Sequence, residues 1–368
     1  MSKIELSEAE DALDEYALNL LEKNDVYEYI AIKEDQTSGY VFEIGMKRRG
    51  LRPMSRPIIP NNKYVRSLYK GVLLSDYIPV PKSYVPKRNI CFFEERHFLD
   101  KKIRVHFEYN YLNEVKALKE VSVEKRVSYE DYDDFELKIQ PGNTIADNLS
   151  LGGTLGLVFK LKKFENRYFG LSNSHVLNST NKKKKLFKIK THYPFFSREG
   201  RNKVGSLFWS EYSDYLDAAI VIFHNDAHER LELNNKCNFN IDIEIGEPVF
   251  GKQIGICGAD TQISYDVTRN KKHIYSTNAY VKIHNSSGEK IYKNQIMIDH
   301  FTTNGDSGSV IIDNSGKIIG LLIGSSIGHK KFSIANNINK IFNHSFEKPQ
   351  KVFLDNKESF FVESFELA

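Results

Sequence analysis

Three short stretches of the chain hold side chains suited to acyl transfer. Thr303-Asn304-Gly305-Asp306-Ser307-Gly308-Ser309-Val310 precedes a strand-like apolar run. A serine between glycines in a tight loop can present its hydroxyl while two backbone N–H groups converge on one point, which is what an oxyanion requires. Serine is a weak nucleophile and needs an imidazole to take its proton and later return it. The candidate is His175, in Leu171-Ser172-Asn173-Ser174-His175-Val176-Leu177, where an apolar strand ends in small residues. A lone histidine after a strand is more often structural, so its context has to carry the assignment. Tyr215-Leu216-Asp217-Ala218-Ala219-Ile220-Val221-Ile222 sends an aspartate into an apolar strand, where a carboxylate is costly unless something pairs with it. A histidine N–H would be that partner, with Asp214 as the neighbouring alternative.

The chain order is His175, aspartate, Ser307, and order separates the unrelated folds that use this chemistry. Here the sequence resembles the trypsin-like serine proteases of chymotrypsin fold, in a bacterial cytoplasmic form with an extra N-terminal domain. Gly305-Asp306-Ser307-Gly308 resembles the family's nucleophile loop and Asn173-Ser174-His175-Val176 its histidine motif. The family pattern of Asp, small residue, Ala, aliphatic selects Asp217 over Asp214. Gly152-Gly153-Thr154-Leu155-Gly156 resembles the start of the first barrel. Ile319 to Ser326 resembles the strand lining the specificity pocket, and Phe332 to Asn336 the return strand after it. The resemblance spans roughly residues 150–345.

It implies a serine endopeptidase working through an acyl-enzyme. Ser307 would attack, His175 would carry the proton, and Asp217 would orient the imidazole. The backbone N–H groups of Gly305 and Ser307 would form the oxyanion hole. Phe301, six positions before the nucleophile, would floor the pocket, with Ile323, Gly324 and Ser325 on its wall. Phe301 carries no charge, so the expected preference is for small or apolar side chains. The reaction needs no metal or organic cofactor, and its substrate is a protein or peptide. Asp306 stands where secreted relatives pair a new N-terminus, yet no activation sequence occurs around residues 140–155. Either another group satisfies Asp306 or its loop stays collapsed until a partner protein arrives; regulated activity is expected, and by analogy with similar domains a role in antiphage defence.

Two other readings compete. A protease-fold scaffold without turnover would be free to lose the triad residue types, all of which are present. A zinc protease would rest on His224-Asn225-Asp226-Ala227-His228, but the motif of that spacing needs Glu directly after the first histidine.

The elements that must position these residues are legible in outline. Of 368 residues, 40% are hydrophobic and 27% charged, a globular mixture, and no run suits a membrane-spanning helix. A net charge of +4 proposes neither nucleic acid nor an anionic membrane as partner. The first 25 residues hold no signal-peptide core and the three cysteines are far apart, so a cytoplasmic chain with reduced thiols is expected. Residues 1–40 carry 11 acidic and 3 basic side chains, residues 41–90 carry 2 and 11. The run Lys182 to Lys185 reads as a solvated loop.

Residues 7–23 space apolar side chains as one amphipathic helix, with Ser7 as N-cap. Short β-branched and aromatic runs follow, interrupted by a proline-rich basic stretch from Leu51. A small α+β domain is expected over 1–140. Beyond Gly142, many short apolar runs between turn residues predict a mostly β domain over 141–348, with two six-stranded antiparallel barrels. A last helix is expected from about Asn336, before a tail over 349–368.

Overall fold

The structure, a computed structural model, describes residues 5–22, 27–35, 39–47, 90–98, 101–117, 139–146, 152–164, 166–178, 188–192, 203–233, 244–259, 262–263, 272–285, 288–299, 302, 305–328, 332–342, 345–354 and 358–368. They fall into two compact units. One holds residues 1–115, 278–291 and 326–331, the other 116–277, 292–325 and 332–368. Lys182 to Lys185 and the proline-rich basic stretch lie outside the described residues. Among the described residues, no helix is long and apolar enough to cross a membrane.

The first unit opens with helix α1 (Leu6–Glu22), whose buried Ala9, Ala12, Leu13, Ala17 and Leu21 recur at helical spacing. Ser7 lies inside the helix rather than capping it. Glu5 stands before the first turn, where its carbonyl accepts Ala9 N–H and its own N–H donates to Glu8 Oε2 at 3.4 Å. That is the return bond of a capping box. Strands β1 (Tyr27–Asp35) and β2 (Gly39–Lys47) form an antiparallel hairpin, as do β3 (Ile90–Phe98) and β4 (Lys101–Ala117). β2 and β4 run parallel. Within the first hairpin the Tyr29 phenol bonds the buried Glu43 carboxylate, which also faces Lys33 Nζ at 3.6 Å.

The second unit is mostly β. Its first strands are β5 (Thr144–Ala146), β6 (Gly153–Thr154), β7 (Leu157–Phe159) and β8 (Phe169–Ser172), followed by the short helix α2 (Ser174–Leu177). β9 (Lys188–His192), β10 (Lys203–Tyr212) and β11 (Asp217–Phe223) complete a seven-stranded sheet of order β6-β5-β9-β10-β11-β8-β7. Six strands closing a barrel were expected; among the described residues the ladder has seven strands and a closed barrel is not confirmed. The terminal strands β6 and β7 are consecutive pieces parted by Leu155 and Gly156, whose N–H groups donate to Asn143 O, next to β5, and to Leu171 O of β8.

The later strands are β12 (Ile254–Cys257), β13 (Gln262–Ile263), β14 (Ile274–Asn285), β15 (Gly288–Asp299), β16 (Val310–Asp313), β17 (Ile318–Gly328) and β18 (Phe332–Asn337). Within this unit their order is β13-β12-β16-β17-β18-β15, while residues 278–291, which include most of β14, belong to the first unit; a second closed barrel is not confirmed. β16 and β17 meet at a turn organised by Asp313. Its Oδ1 accepts from Ser315 N, Ser315 Oγ and Lys317 N at 2.8, 2.7 and 3.0 Å, and its Oδ2 pairs with Lys252.

The expected terminal helix does not form. β18 continues through Asn336 and Asn337, and a single 3-10 turn (Ile338–Lys340) follows, with Asn337 Oδ1 accepting Asn339 N–H. The asparagine cap signal is genuine but serves one turn. The chain then makes an antiparallel hairpin of β19 (Gln350–Leu354) and β20 (Glu358–Val362). Val352, Val362 and Phe365 join Phe208, Trp209 and Val310 in one apolar core, with the Trp209 and Phe365 rings 5.1 Å apart and edge to face. Burial of such aromatic area is the largest stabilising contribution available to a sheet of short strands. One further expectation is corrected: Cys257, read as a reduced thiol, is disulfide-bonded.

Candidate active site

His175 sits in α2, the turn into which β8 runs after Asn173. Val176 and Leu177 of that turn are buried in the core beside Ile145 and Leu155, which fixes the helix against the first sheet. Asp217 is the first residue of β11, 1% exposed. Its two carboxylate oxygens divide their work: Oδ1 accepts the backbone N–H of His175 at 3.0 Å, and Oδ2 faces His175 Nδ1 at 2.6 Å. With the carboxylate ionised, Nδ1 carries the proton and Nε2 is the basic nitrogen. That Nε2 is buried and, among the described residues, has no hydrogen-bond partner. Asp214, the alternative acid, is exposed and contributes only its carbonyl, to Lys293 N–H.

Asp217 is held from several sides. Asn336 Nδ2 donates to its carbonyl at 2.8 Å while Asn336 Oδ1 accepts its N–H at 3.0 Å. Asn173 Nδ2 donates to the same carbonyl at 2.7 Å. The Tyr292 hydroxyl reaches Asp217 Oδ2 at 3.4 Å. Burial first, and then the Asp217 carboxylate, push the Tyr292 phenol far above its ordinary value, so it stays a protonated donor.

The Ser307 loop is shaped by Gly305 at φ 97° and Gly308 at φ 93°, a left-handed region that other residues avoid. A Cβ at Gly308 would collide with Ser172 Oγ and Thr154 O. Thr154 is the loop's anchor: its N–H donates to Ser307 O at 2.7 Å and its Oγ1 to Gly305 O at 2.8 Å. The same Oγ1 accepts Ala259 N–H, and Thr154 O accepts Ser172 Oγ. Asp306 is fully buried, its carboxylate packed against Gly258, where a Cβ would strike it. Ser309 closes the turn with N–H and Oγ both on Asp306 O.

Ser307 Oγ donates to Ile323 O at 2.7 Å. The hydroxyl expected on His175 is therefore committed to a backbone carbonyl.

Of the expected pocket residues, Ile323, Gly324 and Ser325 lie buried along β17, with Gly324 paired to Ile334 and Ser325 to Ser333. Phe301 lies outside the described residues. Sequence reasoning missed Thr302, whose Oγ1 meets Ser333 Oγ at 2.7 Å in the interior. It also passed over Asn336 and Tyr292; a polar residue repeated inside an apolar strand pattern is the signal that marks Asn336. His224 Nε2 pairs with Ser206 Oγ at 3.0 Å, and the His228 ring lies edge-on to Tyr168 at 5.2 Å.

No protein-family model matches the chain, and no curated protein matches it in sequence. Solved structures similar to it include a glutamic acid specific serine protease that utilizes a histidine triad in substrate binding, at 15% identity and TM-score 0.41, covering 55% of this chain and 95% of that one. The MamO protease domain from Magnetospirillum magneticum is similar at 11% identity and TM-score 0.33, covering 54% and 94%. The Rv3671c protease from M. tuberculosis in its active form follows at 12% and 0.31, covering 58% and 90%. These similarities are low, and the chemistry assigned below stands on the geometry of the site.

Proposed function

We propose that the chain is a serine endopeptidase that cleaves peptide bonds through an acyl-enzyme, with a chymotrypsin-like catalytic unit. The observation that carries this reading is the two-point hold of Asp217 on His175, through Nδ1 and backbone N–H, which leaves Nε2 buried and without a partner among the described residues. An imidazole fixed in that way is a base awaiting a proton donor. Ser307 would be that donor and the nucleophile, with the N–H groups of Gly305 and Ser307 receiving the charge that develops on the substrate oxygen. The residues expected along the pocket, Phe301, Ile323, Gly324 and Ser325, carry no charge, which supports a preference for small or apolar side chains on the acyl side of the cut bond.

The Ser307 bond to Ile323 O supports a resting enzyme that a partner or substrate switches on by turning the hydroxyl. The first unit would be the docking element for such a partner. The same bond favours the rival reading, a silent protease-fold scaffold. As to compartment, the disulfide at Cys257 favours an oxidising one over the expected cytoplasm.

Incubating wild type and Ser307→Ala with a proteome-derived peptide library and mapping new termini tests the proposal. Termini generated only by wild type, following small or apolar residues, support it. Termini following Lys or Arg contradict the pocket assignment. No wild-type-specific termini under any condition leaves the scaffold.

A further inference from the structure

We infer that Tyr292 is a positioning residue that sets the basicity of His175 through Asp217, an inference that rests on the peptidase reading only for its catalytic consequence. The residues around Asp217 form a clasp drawn from two strands outside the first sheet. From β18, Asn336 holds the Asp217 peptide by N–H and carbonyl together. From β15, Lys293 N–H bonds Asp214 O at 2.6 Å and Gln295 Nε2 bonds Tyr215 O at 3.1 Å, fixing the segment that leads into Asp217. These bonds all address backbone. Tyr292, the residue before Lys293, addresses the carboxylate: its hydroxyl lies 3.4 Å from Oδ2, the oxygen that faces His175 Nδ1.

The ring is built in rather than adventitious. Tyr292 is 1% exposed, and its ring meets that of Tyr212 edge to face at 6.1 Å. Tyr212 ends β10, immediately before the loop that delivers Asp217. Burial and the Asp217 charge keep the phenol protonated, so its proton stays available to Asp217 Oδ2, 3.4 Å away.

A donor on Oδ2 draws off part of the charge that would otherwise stabilise the imidazolium. Its loss should make His175 more basic, and it should loosen the carboxylate that orients the ring. The groups facing the pair are Asn173, Asn336, Tyr292 and the backbone of His175 itself; among these Tyr292 alone combines an acidic proton with a side-chain carboxylate contact.

The test is titration of the His175 imidazole by NMR in the full chain, comparing wild type with Tyr292→Phe, alongside the pH profile of kcat/KM. Tyr292→Phe should raise the imidazole titration by about half a pH unit, move the acidic limb of kcat/KM upward with it, and lower kcat about threefold to tenfold at constant KM. Replacing Tyr292 by 3,5-difluorotyrosine, a stronger donor with the same ring, should move the titration the other way; this variant carries the test if Tyr292→Phe does not fold. A titration unchanged in both variants overturns the inference and leaves Tyr292 a packing residue. A shifted titration in a chain that hydrolyses no peptide upholds the clasp and contradicts the peptidase reading instead.

Discussion

The side-chain amide of Asn336 grips the peptide of Asp217 at both ends, accepting its N–H at 3.0 Å and donating to its carbonyl at 2.8 Å. An amide that pairs in this way imitates a neighbouring strand, and it does so from β18 for a residue that opens β11. The candidate acid is thereby located by both sheets of its unit. Asn336→Ala removes both bonds and leaves the buried Asp217 N–H without its acceptor. It should cost about 1–3 kcal/mol of stability and lower turnover, read by urea unfolding and by the rate of peptide cleavage. A variant with wild-type stability and rate would mean that Asn173 and the core hold Asp217 unaided.

Asp313 governs the turn that follows the Ser307 loop by one strand. Burial alone would raise its pKa, but the bonds from Lys252, Ser315 and Lys317 outweigh burial and leave it below the ordinary 3.8. A carboxyl whose pKa falls on folding contributes stability above its ordinary pKa, and that contribution is lost as the pH falls through the lowered value. Asp313→Asn should therefore unfold at lower urea than wild type at pH 7, with the gap narrowing below about pH 4. A gap that is the same at pH 7 and pH 3 would show that Asp313 acts by shape and not by charge.

The three cysteines should not behave alike. With Cys257 in a disulfide, one of the chain's three thiols should react with a maleimide in denaturant without reductant, and all three after reduction. Three reactive thiols before reduction would restore the expectation of a chain at home in a reducing compartment.

Much of the second unit is legible in the sequence because its signals are local. His175, Asp217 and Ser307 each stand in a short motif at the end of an apolar strand, and alternating apolar residues mark most of the strands around them. What the sequence hides is joined across the fold. Thr154 is visible as part of a glycine-rich strand start, yet its hydroxyl bond to Gly305 spans 151 residues. The pairing of Asn336 with Asp217 spans 119 and that of Tyr292 with Asp217 spans 75. The terminal helix fails for a related reason. Asn336 and Asn337 look locally like a cap, but Gln295 and Leu321 pair with Asn336 and keep the chain extended.

The central claim is that Ser307 becomes a nucleophile when His175 takes its proton. Reaction with a fluorophosphonate probe, followed by peptide mass spectrometry, reads this directly in wild type, Ser307→Ala and His175→Ala. Phosphonylation confined to Ser307, absent in Ser307→Ala and slowed at least a thousandfold in His175→Ala, is the predicted result. Labelling at another residue, or labelling of Ser307 at the same rate without His175, would contradict it.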